Sequence, residues 1–202
     1  MRFITTTPTR LRQFTLLAIF SLLANGAIAG VSTPVYDPGY WNASNRLTYN
    51  NCYNYATNSA TNTRAQPGRA YFGYTVLYPD NMSCSAARTA AALDGTLVTN
   101  GSESTFVFAG YTEADQCNYS HPSRLALVVA PGYDYHWYRI DLWTDGRWSH
   151  KRGQTIARDW DASGQPIYSV ETADRGEYAE VCGYFCAYST NTYQNSGVVK
   201  IN

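Results

Sequence analysis

Along the chain the apolar and polar positions fall into two regimes, helical first and extended afterwards. NCYNYATNSAT, from Asn51, with Asn50 or Asn51 as N-cap, predicts a helix of two or three turns. Cys84 to Leu93 (CSAARTAAAL) is Ala-rich and runs into Asp94-Gly95, which predicts a second helix with a Gly stop. The segments TLVT, STFVFAGYT, RLALVVA, DYHWYRIDLW and RWSHK are β-branched and aromatic, and turn residues separate them. DYHWYRIDLW and RWSHK, joined through Asp145-Gly146, form the strongest predicted hairpin. ETADRGEYAEV (171–181) is expected to be a short helix, and YFCAYST and VVKI to be late strands. Helices followed by an antiparallel sheet make an α+β domain.

Upstream of this domain the pattern is that of an export leader. Arg2, Arg10 and Arg12 precede the apolar run Phe14–Ala24, and Ala27-Ile28-Ala29 offers a cleavage site. The run is shorter than the about 20 residues a membrane span requires, so no membrane span is expected. Residues 1–29 are therefore expected to be a signal peptide, 30–202 a single domain, and the mature protein secreted or periplasmic. Removing the leader takes away three arginines and leaves 12 basic against 15 acidic residues, a mild net charge of −3. That balance carries no basic stripe and argues against a nucleic-acid partner. The 18 Tyr and 5 Trp suit half-buried sheet faces and polar clefts.

Two of the three histidines lie in the predicted hairpin, His136 in one strand and His150 in the next, where a tight turn brings both rings to one end of the sheet. Cys52 opens the first helix, where exposed N–H groups favour a thiolate. A thiol nucleophile, an imidazole that takes and returns its proton, and a polar group that orients the imidazole are the parts of a cysteine hydrolase.

The stretches NCYNYA, HWYRID and RWSHK, in this order, resemble the NlpC-type cysteine amidases, which belong to the papain-like superfamily with the CHAP amidases. The resemblance covers roughly residues 40–155. It implies a papain-like fold with N-terminal helices on an antiparallel sheet, and the roles of nucleophile for Cys52, base for His136 and orienter for His150. It also implies an oxyanion role for Tyr40, a peptide or peptidoglycan substrate, and no cofactor. Asn51 stands where the family has an acidic residue. Asp141 and Asp145 are fallback orienters, and no inhibitor or immunity partner is identifiable. With Cys52 free, the other four cysteines are expected to pair as Cys84–Cys117 and Cys182–Cys186.

Two other readings remain open. Cysteine with two histidines is also a zinc-ligand set, and a zinc-dependent amidase would use the same residues, although no HExxH string is present. An exported carbohydrate-binding or adhesive module would use the aromatics to stack on sugars, with Cys52 oxidised. DWDASGQ has the spacing of half a calcium loop, but Val170 stands where the bidentate Glu belongs, so a polar turn is expected.

Overall fold

A computed structural model describes residues 34–94, 123–141, 146–187 and 201, with the side chains of Ser123, Cys186 and Ala187 excepted. The expected leader, the strands TLVT and STFVFAGYT, Cys117, His121, Asp145 and most of VVKI lie outside the described residues. Helices α1 (Pro38–Trp41), α2 (Cys52–Ala56), α3 (Arg69–Phe72) and α4 (Cys84–Leu93) precede strands β1 (Ser123–Ala130), β2 (Asp134–Ile140), β3 (Trp148–Lys151), β4 (Ala157–Arg158) and β5 (Glu180–Ala187). The strands form one antiparallel sheet in the order β4-β3-β2-β1-β5. The chain is thus α+β, as the hydrophobic pattern implies. No helix among the described residues is long and apolar enough to cross a membrane.

Local chemistry explains the two helices that matter most. Asn51 caps α2: its side-chain oxygen accepts from the N–H groups of Tyr53 and Asn54, while Asn54 Oδ1 accepts from the Asn51 N–H. This reciprocal cap satisfies N–H groups that the helix start leaves orphaned. The helix is shorter than expected because Asn58, at φ 52°, turns the chain left-handed just after Thr57. Ser83 caps α4 through the Ala86 N–H, and Ala87, Ala90 and Ala91 give that helix a flat buried face.

Alternation along β1 and β2 builds a core on each face of the sheet. On one face Leu125, Leu127, Val129, Tyr135, Trp137 and Phe185 pack against Tyr53 and Ala56 of α2 and the alanines of α4. On the other, Ala126, Val128, Tyr138, Ile140 and Trp148 are covered by Ile167, Val170 and Tyr178. The segment supplying that cover is irregular, and the expected helix at 171–181 is absent. Residues 171–172 and 176–177 form turns, and Glu180 and Val181 already belong to β5. Asp161 organises this segment, accepting from the N–H groups of Ser163, Gln165 and Asp174 and from the Ser163 hydroxyl. The DWDASGQ stretch is accordingly a polar turn.

The disulfide expectation requires correction. Cys84 pairs with Cys182, with Cα atoms 5.1 Å apart and a sequence separation of 98, which rules out both Cys84–Cys117 and Cys182–Cys186. Cys182 and Cys186 share β5, and four residues of extended strand separate their Cα atoms by roughly 13 Å. That exceeds the about 7 Å a disulfide can bridge. The observed bond staples the start of α4 to β5, and a disulfide suits an oxidising compartment.

Candidate functional site

At the open end of the β2–β3 hairpin a cleft of about 350 Å³ is lined by Asn51, Cys52, Gln66, Asp134 and His136, with Arg64, Arg152, Gln154 and Tyr178 around it. The β2–β3 ladder begins at Tyr138↔His150, so the Asp134–Trp137 end of β2 runs beyond it, and α2 packs against both strands here. Cys52 and His136 therefore reach one cleft from two elements. Cys52 is the free cysteine among the described residues, and it is buried.

The two histidines meet as the hairpin pattern implies. His136 Nε2 lies 2.7 Å from His150 Nδ1, and His150 Nε2 lies 3.0 Å from the carbonyl oxygen of Trp160. Tyr178 stacks on His136 at 5.2 Å between ring centres, and Tyr138 stacks on His150 at 4.8 Å. The Tyr178 hydroxyl donates to Asp134, which fixes that ring in turn. Both imidazoles are buried and neutral. Burial holds the His136 pKa well below its usual value, helped by His150 and by Arg152 and Arg158. Burial likewise pulls His150 down to about 4, against the hydrogen bond to Trp160.

A neutral imidazole has one N–H and one lone pair, so this chain of contacts fixes both tautomers. The Trp160 carbonyl can only accept, which puts the proton of His150 on Nε2 and leaves Nδ1 to accept from His136 Nε2–H. His136 Nδ1 is then the ring nitrogen left basic. Arg158 Nε stands 3.2 Å from the same His150 Nε2 and competes with this arrangement. The Trp160 contact is the shorter, and the partly exposed guanidinium can turn its N–H groups to water.

Cys52 departs from the thiolate expected at a helix start. The N–H groups of Trp137, Tyr53 and Cys52 itself favour the anion, but burial, reinforced by the charge of Asp134, pushes the thiol up to about 12. A five-residue helix contributes too little dipole to offset that desolvation. The resting pair is therefore thiol and imidazole, both uncharged.

Tyr40 is not brought to the cleft. It is 42% exposed on α1, with the Arg46 guanidinium 3.9 Å from its ring centre. Asp141 is occupied elsewhere: it pairs with Arg139 at 2.6 Å and accepts from the Tyr55 and Ser149 hydroxyls. The cleft holds instead a residue that sequence reasoning missed, Gln66. Its carboxamide oxygen accepts from the Tyr135 hydroxyl at 2.7 Å, which leaves its NH₂ as a donor in the cleft. Gln66 sits in the loop RAQPGRA, where nothing in the spacing distinguishes it. Among the described residues no group of three His, Cys, Asp or Glu side chains is placed to hold a metal.

Comparison with known proteins adds a relative. Over 156 residues the chain is 40% identical to insoluble matrix shell protein 1 of Ruditapes philippinarum, covering 77% of this chain and 91% of that protein. The chain belongs to the family of that shell protein. No family model matches the sequence, and no solved structure matches it.

Proposed function

We propose that the protein is a secreted cysteine hydrolase of papain-like arrangement that cleaves an amide bond. The observation that carries this reading is the buried 2.7 Å contact between His136 Nε2 and His150 Nδ1, on a ring that shares its cleft with the free thiol of Cys52. Cys52 attacks the carbonyl carbon while its proton passes to His136 Nδ1. The imidazolium is held by His150 through Nε2–H. That proton then goes to the leaving amine, the acyl group stays on sulfur as a thioester, and a water activated by His136 releases the acid. Gln66 NH₂ and the Cys52 N–H are the donors for the oxyanion. The resemblance to NlpC-type and CHAP amidases directs the first trial substrate to peptidoglycan peptides.

The test is degradation of purified peptidoglycan, and of a mixed protein substrate, by the native protein and by Cys52→Ala. Release of new amino groups by the native protein alone supports the reading. Equal release by both forms refutes Cys52 as nucleophile, and no release by either refutes the substrate class.

A second reading has its own support. The relative's name assigns that protein to an insoluble shell matrix, and a secreted, disulfide-bonded, tyrosine-rich chain suits deposition in an extracellular matrix. On that reading the domain is a matrix or adhesive component without catalysis, and a Cys52 thiol inert to alkylation is its signature.

A further inference from the structure

Cys52 and His136 are 6% and 1% exposed, so the resting cleft offers little of either group to an incoming reagent. Part of that cover comes from a short piece of chain just before β5. The Tyr178 ring stacks on His136 at 5.2 Å between centres, and its hydroxyl donates to Asp134 at 2.9 Å. These three residues line the cleft together with Cys52. Next to Tyr178, Glu177 pairs with Arg152, another lining residue, whose guanidinium also stands 5.6 Å from the Tyr178 ring centre.

The backbone carrying Glu177 and Tyr178 is held lightly. The ladder between β1 and β5 reaches its end at Val129↔Glu180, so residues 176–179 lie beyond it. Gly176 turns left-handed at φ 63°, and the Ala179 N–H donates to the Glu177 carbonyl within the same segment. The Arg175 guanidinium donates to the carbonyls of Tyr178 and Ala179 on one side and of Val170 and Glu171 on the other. A long side chain thus stands where a neighbouring strand would be. Segments held in this way open at lower cost than the sheet beside them. The Arg152–Glu177 pair is 44% and 34% exposed, which makes it weak and sensitive to salt.

We infer that residues 176–179 are a strap over the cleft: Tyr178 is the plug on His136, the Arg152–Glu177 pair is the clasp, and release of the clasp exposes Cys52. The meaning of this strap for catalysis rests on the hydrolase reading, but its test does not. Tyr178 also belongs to the same core as Val170 and Tyr184. A tyrosine with that structural role alone would keep the cleft covered whatever the state of the ion pair.

Because a change at Tyr178 would disturb that core, the test uses the exposed Glu177 and the variant Glu177→Gln. The rate of Cys52 alkylation by iodoacetamide, read by mass spectrometry on the folded protein, follows the population of the open strap. Glu177→Gln should raise that rate about two- to fivefold at low salt, the weight of an exposed ion pair. Raising salt from about 0.05 to about 0.5 M should speed the native protein towards the variant and change the variant less. Equal rates with equal salt responses overturn the inference, as does a Cys52 that stays unreactive in both proteins. Hydrogen exchange separates a strap from a general loosening. In Glu177→Gln the amides of residues 177–179 should exchange faster while those of β1 and β2 keep their native rates. An acceleration shared by β1 and β2 overturns the inference. A gated thiol in a protein that cleaves no amide leaves the strap standing and removes the hydrolase reading.

Discussion

The carbonyl oxygen of Trp160 lies 3.0 Å from His150 Nε2, and this contact, two residues removed from the thiol, decides which nitrogen of His136 is basic. The carbonyl holds a proton on His150 Nε2, so His150 Nδ1 accepts from His136 Nε2–H at 2.7 Å, and His136 Nδ1 keeps its lone pair. Trp160 belongs to the irregular segment that covers the outer face of the sheet. Its backbone, held by the bridge to Pro166, therefore sets the tautomers of both rings through a hydrogen bond.

His150→Phe should lower kcat by roughly 10²–10⁴, because His136 loses the acceptor that fixes its tautomer. His150→Gln retains a carboxamide oxygen and should recover part of the loss. Steady-state kinetics on any cleaved peptide, with circular dichroism to verify folding, checks both. Equal activity in native protein and His150→Phe removes the orienting role.

Gln66→Ala should reduce kcat by about 10²–10³ with little change in KM, the signature of a donor that matters in the transition state. Tyr40→Phe should leave kcat unchanged, since Tyr40 lies outside the cleft under Arg46. The reverse ordering of the two variants restores the oxyanion role to Tyr40.

Acid should destabilise the fold in a defined window. His136 and His150 have folded-state pKa values below the unfolded value of about 6.5, so the unfolded chain binds more protons between the two values. Their contribution is complete above pH 6.5 and is lost as pH falls toward about 4 for His150, where it amounts to on the order of 3 kcal/mol. Denaturant unfolding between pH 7.5 and 4 should show this fall, reduced in His150→Phe. A flat profile contradicts neutral buried rings.

Breaking the Cys84–Cys182 bond opens a loop of 98 residues, and the double variant Cys84→Ser/Cys182→Ser should lose about 4–5 kcal/mol in the chain-entropy account. The urea midpoint measures it. A midpoint unchanged within error contradicts the pairing.

Those parts of the fold written in local pattern were legible in the sequence. The Ala-rich run gave α4 its full extent, the cap of α2 was narrowed to Asn50 or Asn51, and the hairpin pattern brought His136 and His150 to one end of the sheet. What escaped depends on contacts distant in sequence. No spacing announces a bond between Cys84 and Cys182, and no pattern marks Gln66 as a neighbour of Tyr135. The helix expected at 171–181 failed because the Asp161 carboxylate takes the Asp174 N–H, and Gly176 turns left-handed at φ 63°. The thiolate expectation failed for a related reason: exposure at a helix start is a local inference, and burial under the β2 end is a tertiary fact.

Mass spectrometry of the native protein and of His136→Ala, after brief iodoacetamide treatment at pH 8, bears most directly on the pairing of thiol and imidazole. The expected result is measurable carbamidomethylation at Cys52 in the native protein, slowed by the burial of the thiol, and at least tenfold slower modification in the variant, as loss of the general base requires. Equal rates in the two proteins, or a Cys52 that stays unmodified while the protein is folded, would contradict it.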